Sequence, residues 1–106
     1  MHKHVEWDDP GTESVLRFYA DHPEDCPIPH PSSILSARYR GFTVRVKVEA
    51  RVEDTSIGEV VALIANDNGR RKQSVGDLSL GDIVRLPDAY RALEPRHPEE
   101  TDEQQE

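Results

Sequence analysis

Between Gly41 and Val52 the chain reads GFTVRVKVEARV, with apolar side chains at Phe42, Val44, Val46, Val48, Ala50 and Val52 and polar ones at Thr43, Arg45, Lys47, Glu49 and Arg51. A period of two sustained over such a run describes a β-strand with one face toward a core and the other toward solvent. It also sets the register, because a slip of one residue would turn Arg45 and Lys47 inward. Strands ordinarily run ~5–6 residues, so one this long bends or serves two partners. The chain is therefore expected to be built around a sheet.

The flanking sequence supplies neighbours for that strand. Leu35, Ala37 and Tyr39 alternate with Ser36, Arg38 and Arg40, which predicts an antiparallel hairpin turning near Arg40-Gly41. Residues 56–75, SIGEVVALIANDNGRRKQSV, admit two readings. As a helix, Ser56 and Glu59 form a capping box and Ile57, Val60, Val61 and Ile64 a stripe. As a hairpin, GEVVALIA is a buried β-run, Asn68-Gly69 supplies the turn and RRKQSV returns. The β-branched content and the Asn-Gly pair favour the hairpin. In GDLSLGDIVRLP, residues 76–87, two Gly-Asp turns bracket Leu78 and Leu80, and Ile83, Val84 and Leu86 form a short strand ending at Pro87. DAYRAL, residues 88–93, is read as a single helical turn.

From Ala62 to Leu86 the succession of strand, glycine turn, basic strand and GDIV strand resembles the hairpin of the actuator domain of P-type ATPases. The resemblance covers about a quarter of the chain and implies β-structure there. The TGE loop of those enzymes has no counterpart after GDIVRLP, and the GTE at Gly11 to Glu13 is a scrambled and misplaced echo of it.

Outside the sheet the sequence changes character. Asp9 and Pro10 open a short helix in which Val15, Leu16 and Tyr19 share a face, and Pro23 ends it near Asp21. Residues 22–33, with four prolines, form an extended connector. Residues 94–106 hold six carboxylates and no apolar side chain, a composition that cannot offset its own ordering entropy. The fold class expected is α+β and β-rich: a small, mainly antiparallel sheet of four or five strands, or a partial barrel, with a short N-terminal helix. One domain spans 1–93, with the connector inside it, and a disordered acidic tail spans 94–106.

Charge bears on function more than any motif does. The net charge is −8, yet residues 38–72 carry +3 between segments of −5 and −6. On the alternation, Arg45, Lys47 and Arg51 share one sheet face, the hairpin adds Arg38 and Arg40, and Arg70, Arg71 and Lys72 cluster at a turn. Such a surface suits phosphates, but single-strand binders interleave aromatic platforms and this face has none. A solvated face used for protein binding is the favoured expectation, through the face itself or an exposed edge strand, with self-association as a dimer included. Nucleic-acid binding is the alternative. The acidic tail is expected to shield the basic face and compete with an anionic partner.

Three further chemistries are weighed: a zinc site, which stays as a second alternative that requires its ligands to converge, and two catalytic ones that lack support. His22, Cys26 and His30 have zinc-binding side chains. In a polyproline path at ~3.1 Å per residue, however, neighbours among them lie ~12 Å apart. Cys26 follows Glu24 and Asp25 and precedes Pro27, a poor setting for a reactive thiolate. Adjacent carboxylates such as Asp8-Asp9 do not oppose one another across a cleft. No phosphate loop, dinucleotide fingerprint or nucleophile elbow is present. The expectation is a non-catalytic module without cofactor, with no membrane span or secretory signal and a single cysteine, hence cytoplasmic.

Overall fold

The computed structural model describes residues 5–26 and 28–93. Its centre is a four-stranded antiparallel sheet in the order β1-β2-β3-β6, formed by β1 (Ile34–Tyr39), β2 (Phe42–Val52), β3 (Thr55–Ala65) and β6 (Ile83–Pro87). A small hairpin of β4 (Ser74–Val75) and β5 (Leu78–Ser79) lies between β3 and β6 in sequence. The result is a small, mainly antiparallel β-structure with little helix, and the sheet does not close into a barrel. Among the described residues no helix is long and apolar enough to cross a membrane. The segment 94–106 lies outside the described residues, and with it the expected tail.

The alternating run is β2, and it serves two partners, pairing with β1 on one side and β3 on the other. Val44, Val46 and Val48 enter the core beside Leu35, Ala37 and Tyr39 from β1 and Val60 and Leu63 from β3. The β1–β2 turn is Arg40-Gly41, with φ of 51° and 81°. Positive φ at both central residues gives a two-residue turn the twist that matches its strands, and glycine accepts it at no steric cost. Residues 56–65 are strand throughout, which decides between helix and hairpin in favour of β. The returning strand of that hairpin does not form. After Asn68-Gly69 only Arg71 bridges back, to Ile64, and Ser74–Val75 pairs with β5 instead.

Two β-bulges interrupt the β2–β3 ladder. Register shifts between Arg45 and Val46 and again between Val48 and Ala50, so Val61 on β3 and Glu49 on β2 are extra residues. The second bulge reverses the facing of β2. Val48 pairs with Gly58 on the core side, but beyond Glu49 it is Arg51 that pairs with core-side Ser56, while Ala50 and Ile57 point out. Arg51 therefore does not share a face with Arg45 and Lys47, as simple alternation predicts. Gly58 lies at a close approach of β3 to β2. A Cβ there would lie 2.2 Å from the Lys47 carbonyl oxygen.

The N-terminal segment closes the core. Val5 and Trp7 join the buried cluster, and Trp7 meets Tyr39 edge-to-face at 6.3 Å. The same segment occupies both edges of the sheet. The Asp8 N–H donates to the Arg38 carbonyl on β1, and the Trp7 indole donates to the Arg85 carbonyl on β6 at 2.8 Å. The helix expected after Asp9 is shorter and interrupted. A 3-10 turn at Gly11–Glu13 is followed by Ser14 in extended conformation and one α-turn, α1 (Val15–Phe18). Ser14 is extended because it bridges to Ala92, and its hydroxyl caps α1 by accepting from the Arg17 N–H. Of the face assigned to this helix, Val15 is buried and Leu16 is exposed.

Because the obstacle at Gly58 is backbone, Gly58→Ala cannot be accommodated by a rotamer change. It is expected to lower unfolding stability by about 3 kcal/mol. A urea titration checks this, and a loss within about 0.5 kcal/mol, the range of an ordinary surface substitution, would show that the close approach is absent in solution.

Candidate binding surface

The register resolves the outer face, opposite the core, into rows running across the strands. Nearest the β1–β2 turn, Arg38 pairs with Thr43, Thr43 with Ile64, and Ile64 with Arg71. The next row is Ser36, Arg45 and Ala62, and the next is Ile34, Lys47, Glu59 and Ile83. Past the Glu49 bulge come Ala50, Ile57 and Arg85. The eight basic residues expected on one surface are thus sorted by the fold into different roles.

The first row is largely covered. Arg38 is 7% exposed, and its guanidinium donates to Glu13 at 2.8 Å, to the Leu93 carbonyl at 2.6 Å and to Thr43 Oγ1 at 3.3 Å. Thr43 in turn donates to Asn66 Oδ1. The segment that binds Arg38 reaches β1 after β6. The Ala92 N–H donates to the Ser36 carbonyl and the Leu93 N–H to the Glu13 carbonyl. Arg38 is consequently a structural cation that ties together β1, the N-terminal turn and the C-terminal end of the described chain.

Arg51, turned inward by the bulge, is held by Asp88. Its guanidinium donates to both Asp88 carboxylate oxygens and to Ser56 Oγ at 3.0 Å. Asp88 is itself fixed, because its N–H donates to the Asp54 carbonyl in the β2–β3 turn, and Arg91 Nη1 approaches its Oδ1 at 3.9 Å. The Asp88 hydrogen bond holds the Arg51 pKa above the ordinary arginine value against the opposing effect of desolvation, and the charges of Asp88, Asp54 and Cys26 add to it.

The remaining basic residues separate. Arg40, in the turn, stacks over the Tyr39 ring at 5.4 Å. Arg45 is half-buried, and Lys47 is exposed. Arg70, Arg71 and Lys72 are all exposed, and among the described residues none of them takes part in an ion pair. An open groove separates the Arg40-Gly41 turn from this cluster and is lined by Phe42, Ala65, Asn66 and Lys72.

Far from the turn the outer face is mixed rather than basic. Ile34 is 52% exposed beside exposed Lys47, and half-buried Glu59, Ile83 and Ile57 continue the face, with exposed Arg85 and Ala50. The bulged Val61 is also exposed. Sequence reasoning named Lys47 here but not the isoleucines. The signal for Ile57 was the isolated Gly58 inside a strand pattern, which marks a bulge and hence a change of facing.

Ser32 and Ser33 extend the β1 side of the ladder by exchanging hydrogen bonds with Val48, so the last two residues of the connector run along β2. His22, Cys26 and His30 are not gathered into one group. The ligand-type atoms that do lie within 4.8 Å of one another belong to His22, Glu24 and Asp25, all exposed on a single 3-10 turn.

Removing Asp88 takes away the carboxylate facing Arg51 and Arg91, whose side chains are 20% and 8% exposed. Asp88→Ala is expected to cost about 3 kcal/mol. The raised Arg51 pKa contributes stability that is fully present below the unfolded-state value and lost only as pH rises through the still higher folded value. The loss should therefore be the same size in denaturant titrations at neutral and at mildly alkaline pH, and a loss that vanished in mild alkali would contradict the assignment. Compared with known proteins, the chain matches no family model, no curated protein and no solved structure.

Proposed function

We propose that this protein is a non-catalytic binding module whose partner, another protein or a second copy of the chain, meets the outer sheet face around Ile34, Lys47, Ile57 and Ile83. The observation that carries this reading is the exposure of aliphatic side chains among charges of both signs on one sheet face. Such a mixture suits a protein interface, where an apolar centre is rimmed by polar groups. Duplex or single-stranded nucleic acid calls instead for a run of cations, and Glu59 interrupts the row that contains Lys47.

The edges offer less. On β1 the carbonyls of Arg38 and Ser36 already accept from Asp8 and Ala92, and on β6 the Arg85 carbonyl accepts from Trp7. Strand addition at either edge must first displace these groups, whereas the face needs no rearrangement. Nucleic acid has its own support at a different place, the exposed Arg70-Arg71-Lys72 turn beside Phe42.

The two places can be told apart in one experiment. A photo-crosslinking side chain is introduced at position 34 or at position 71 and irradiated in cell extract. The expected result is a discrete protein adduct from position 34 that is lost when Ile57→Asp is added, with the thermal unfolding curve unchanged. Adducts from position 71 alone, sensitive to nuclease, would overturn this reading in favour of nucleic-acid binding.

A further inference from the structure

A cavity of about 400 Å³ lies where the N-terminal segment, the β1–β2 turn and the β4–β5 hairpin meet. Its apolar lining is Val5, Tyr39 and Leu78, all members of the buried core cluster. Its polar lining is Glu6, Asp8, Arg40 and Asp77, all exposed. An apolar floor with a few polar groups around it is the usual make-up of a small-molecule site, and the volume suits a small ligand.

Two of the lining groups are poised but not used by the fold. Tyr39 is only 6% exposed, yet its hydroxyl has no hydrogen-bond partner among the described residues. A buried phenol ordinarily finds one. Arg40 stacks on the same ring at 5.4 Å and takes part in no ion pair among the described residues. The two groups converge. A Cβ built on Gly76 would lie 3.1 Å from Tyr39 Oη and 3.5 Å from Arg40 Nη1. Gly76 stands between the paired residues Val75 and Leu78 with φ of 57°, so the turn chemistry that favours glycine there also leaves this point without a side chain.

The charges define the kind of molecule that fits. A hydroxyl beside guanidinium donors calls for one anionic oxygen group, which an arginine fork holds at two points. Three carboxylates against one guanidinium give the lining a formal charge of −2. That balance repels a phosphate dianion and favours a ligand that also carries ammonium. Glu6 and Asp8, like Arg40, take part in no ion pair among the described residues.

We propose that this cavity binds a free basic amino acid, its carboxylate on Arg40 and the Tyr39 hydroxyl and its ammonium groups toward Glu6 and Asp8. The site is built on core-cluster residues and not on the outer face of Ile34, Lys47, Ile57 and Ile83, so it stands whether or not the partner reading does.

Titration of the isotope-labelled full chain with L-lysine and with L-arginine tests the proposal, read from amide shifts. Saturable shifts are expected at residues 39–40 and 76–78, with Ile57 and Ile83 unmoved. Tyr39→Phe keeps the ring in the core and under Arg40 and removes only the hydroxyl. It should weaken binding about fivefold, and Arg40→Gln about tenfold or more, with thermal unfolding unchanged in both. Cadaverine, which is lysine without its carboxylate, and glutarate, which has no ammonium, should each bind at least about tenfold more weakly than lysine. Shifts that fail to saturate with either amino acid, equal affinity for cadaverine, or unchanged affinity in both variants would each overturn the proposal.

Discussion

The bulge at Glu49, opposite Gly58, is the constraint on which the rest of the arrangement depends. A regular ladder would have kept Arg51 on the solvent side with Lys47. With one extra residue in β2, Arg51 comes to the core side beside Ser56, where a guanidinium needs a carboxylate. Asp88 supplies it, and in doing so anchors the chain leaving β6 to the β2–β3 turn. From that anchor residues 91–93 reach β1, bind Ser36 and give Leu93 to Arg38. Gly58 permits the strands to approach closely enough for this, so a single glycine lies upstream of two arginine contacts and of the C-terminal path.

The basic midsection of an acidic chain is therefore not one surface. Arg38 and Arg51 hold backbone and carboxylates together in partly desolvated sites, where removing one partner is costly. Arg40 rests on Tyr39. Lys47 stands among isoleucines, and Arg70 to Lys72 protrude at the end of β3. Exposed charges of the last kind add little to stability and are available for recognition. The formal excess of positive charge in this segment overstates what a partner would meet.

Much of the sheet was legible because β2 and β1 alternate strictly and Arg40-Gly41 has turn chemistry with a mechanism. The strand over residues 55–65 was legible from its β-branched residues despite a plausible capping box at Ser56 and Glu59. The pairing of residues 70–75 was not, because turn chemistry at Asn68-Gly69 says nothing about whether the returning segment outcompetes the β4–β5 hairpin. Trp7 was missed because residues 5–8 show no periodicity, although they fill the core and occupy both sheet edges. The site suffered most from the bulge. Alternation assigned Arg51 to the wrong face, and nothing near Asp88 in sequence identified it as the partner.

The division of the arginines and lysines into structural and available groups is the central claim, and comparison of two double variants measures it directly. In equilibrium unfolding, Arg38→Gln with Arg51→Gln is expected to lose roughly 4 kcal/mol or more. Lys47→Gln with Arg71→Gln should stay within about 0.5 kcal/mol of the unmodified protein. Losses of similar size in the two variants would contradict the account.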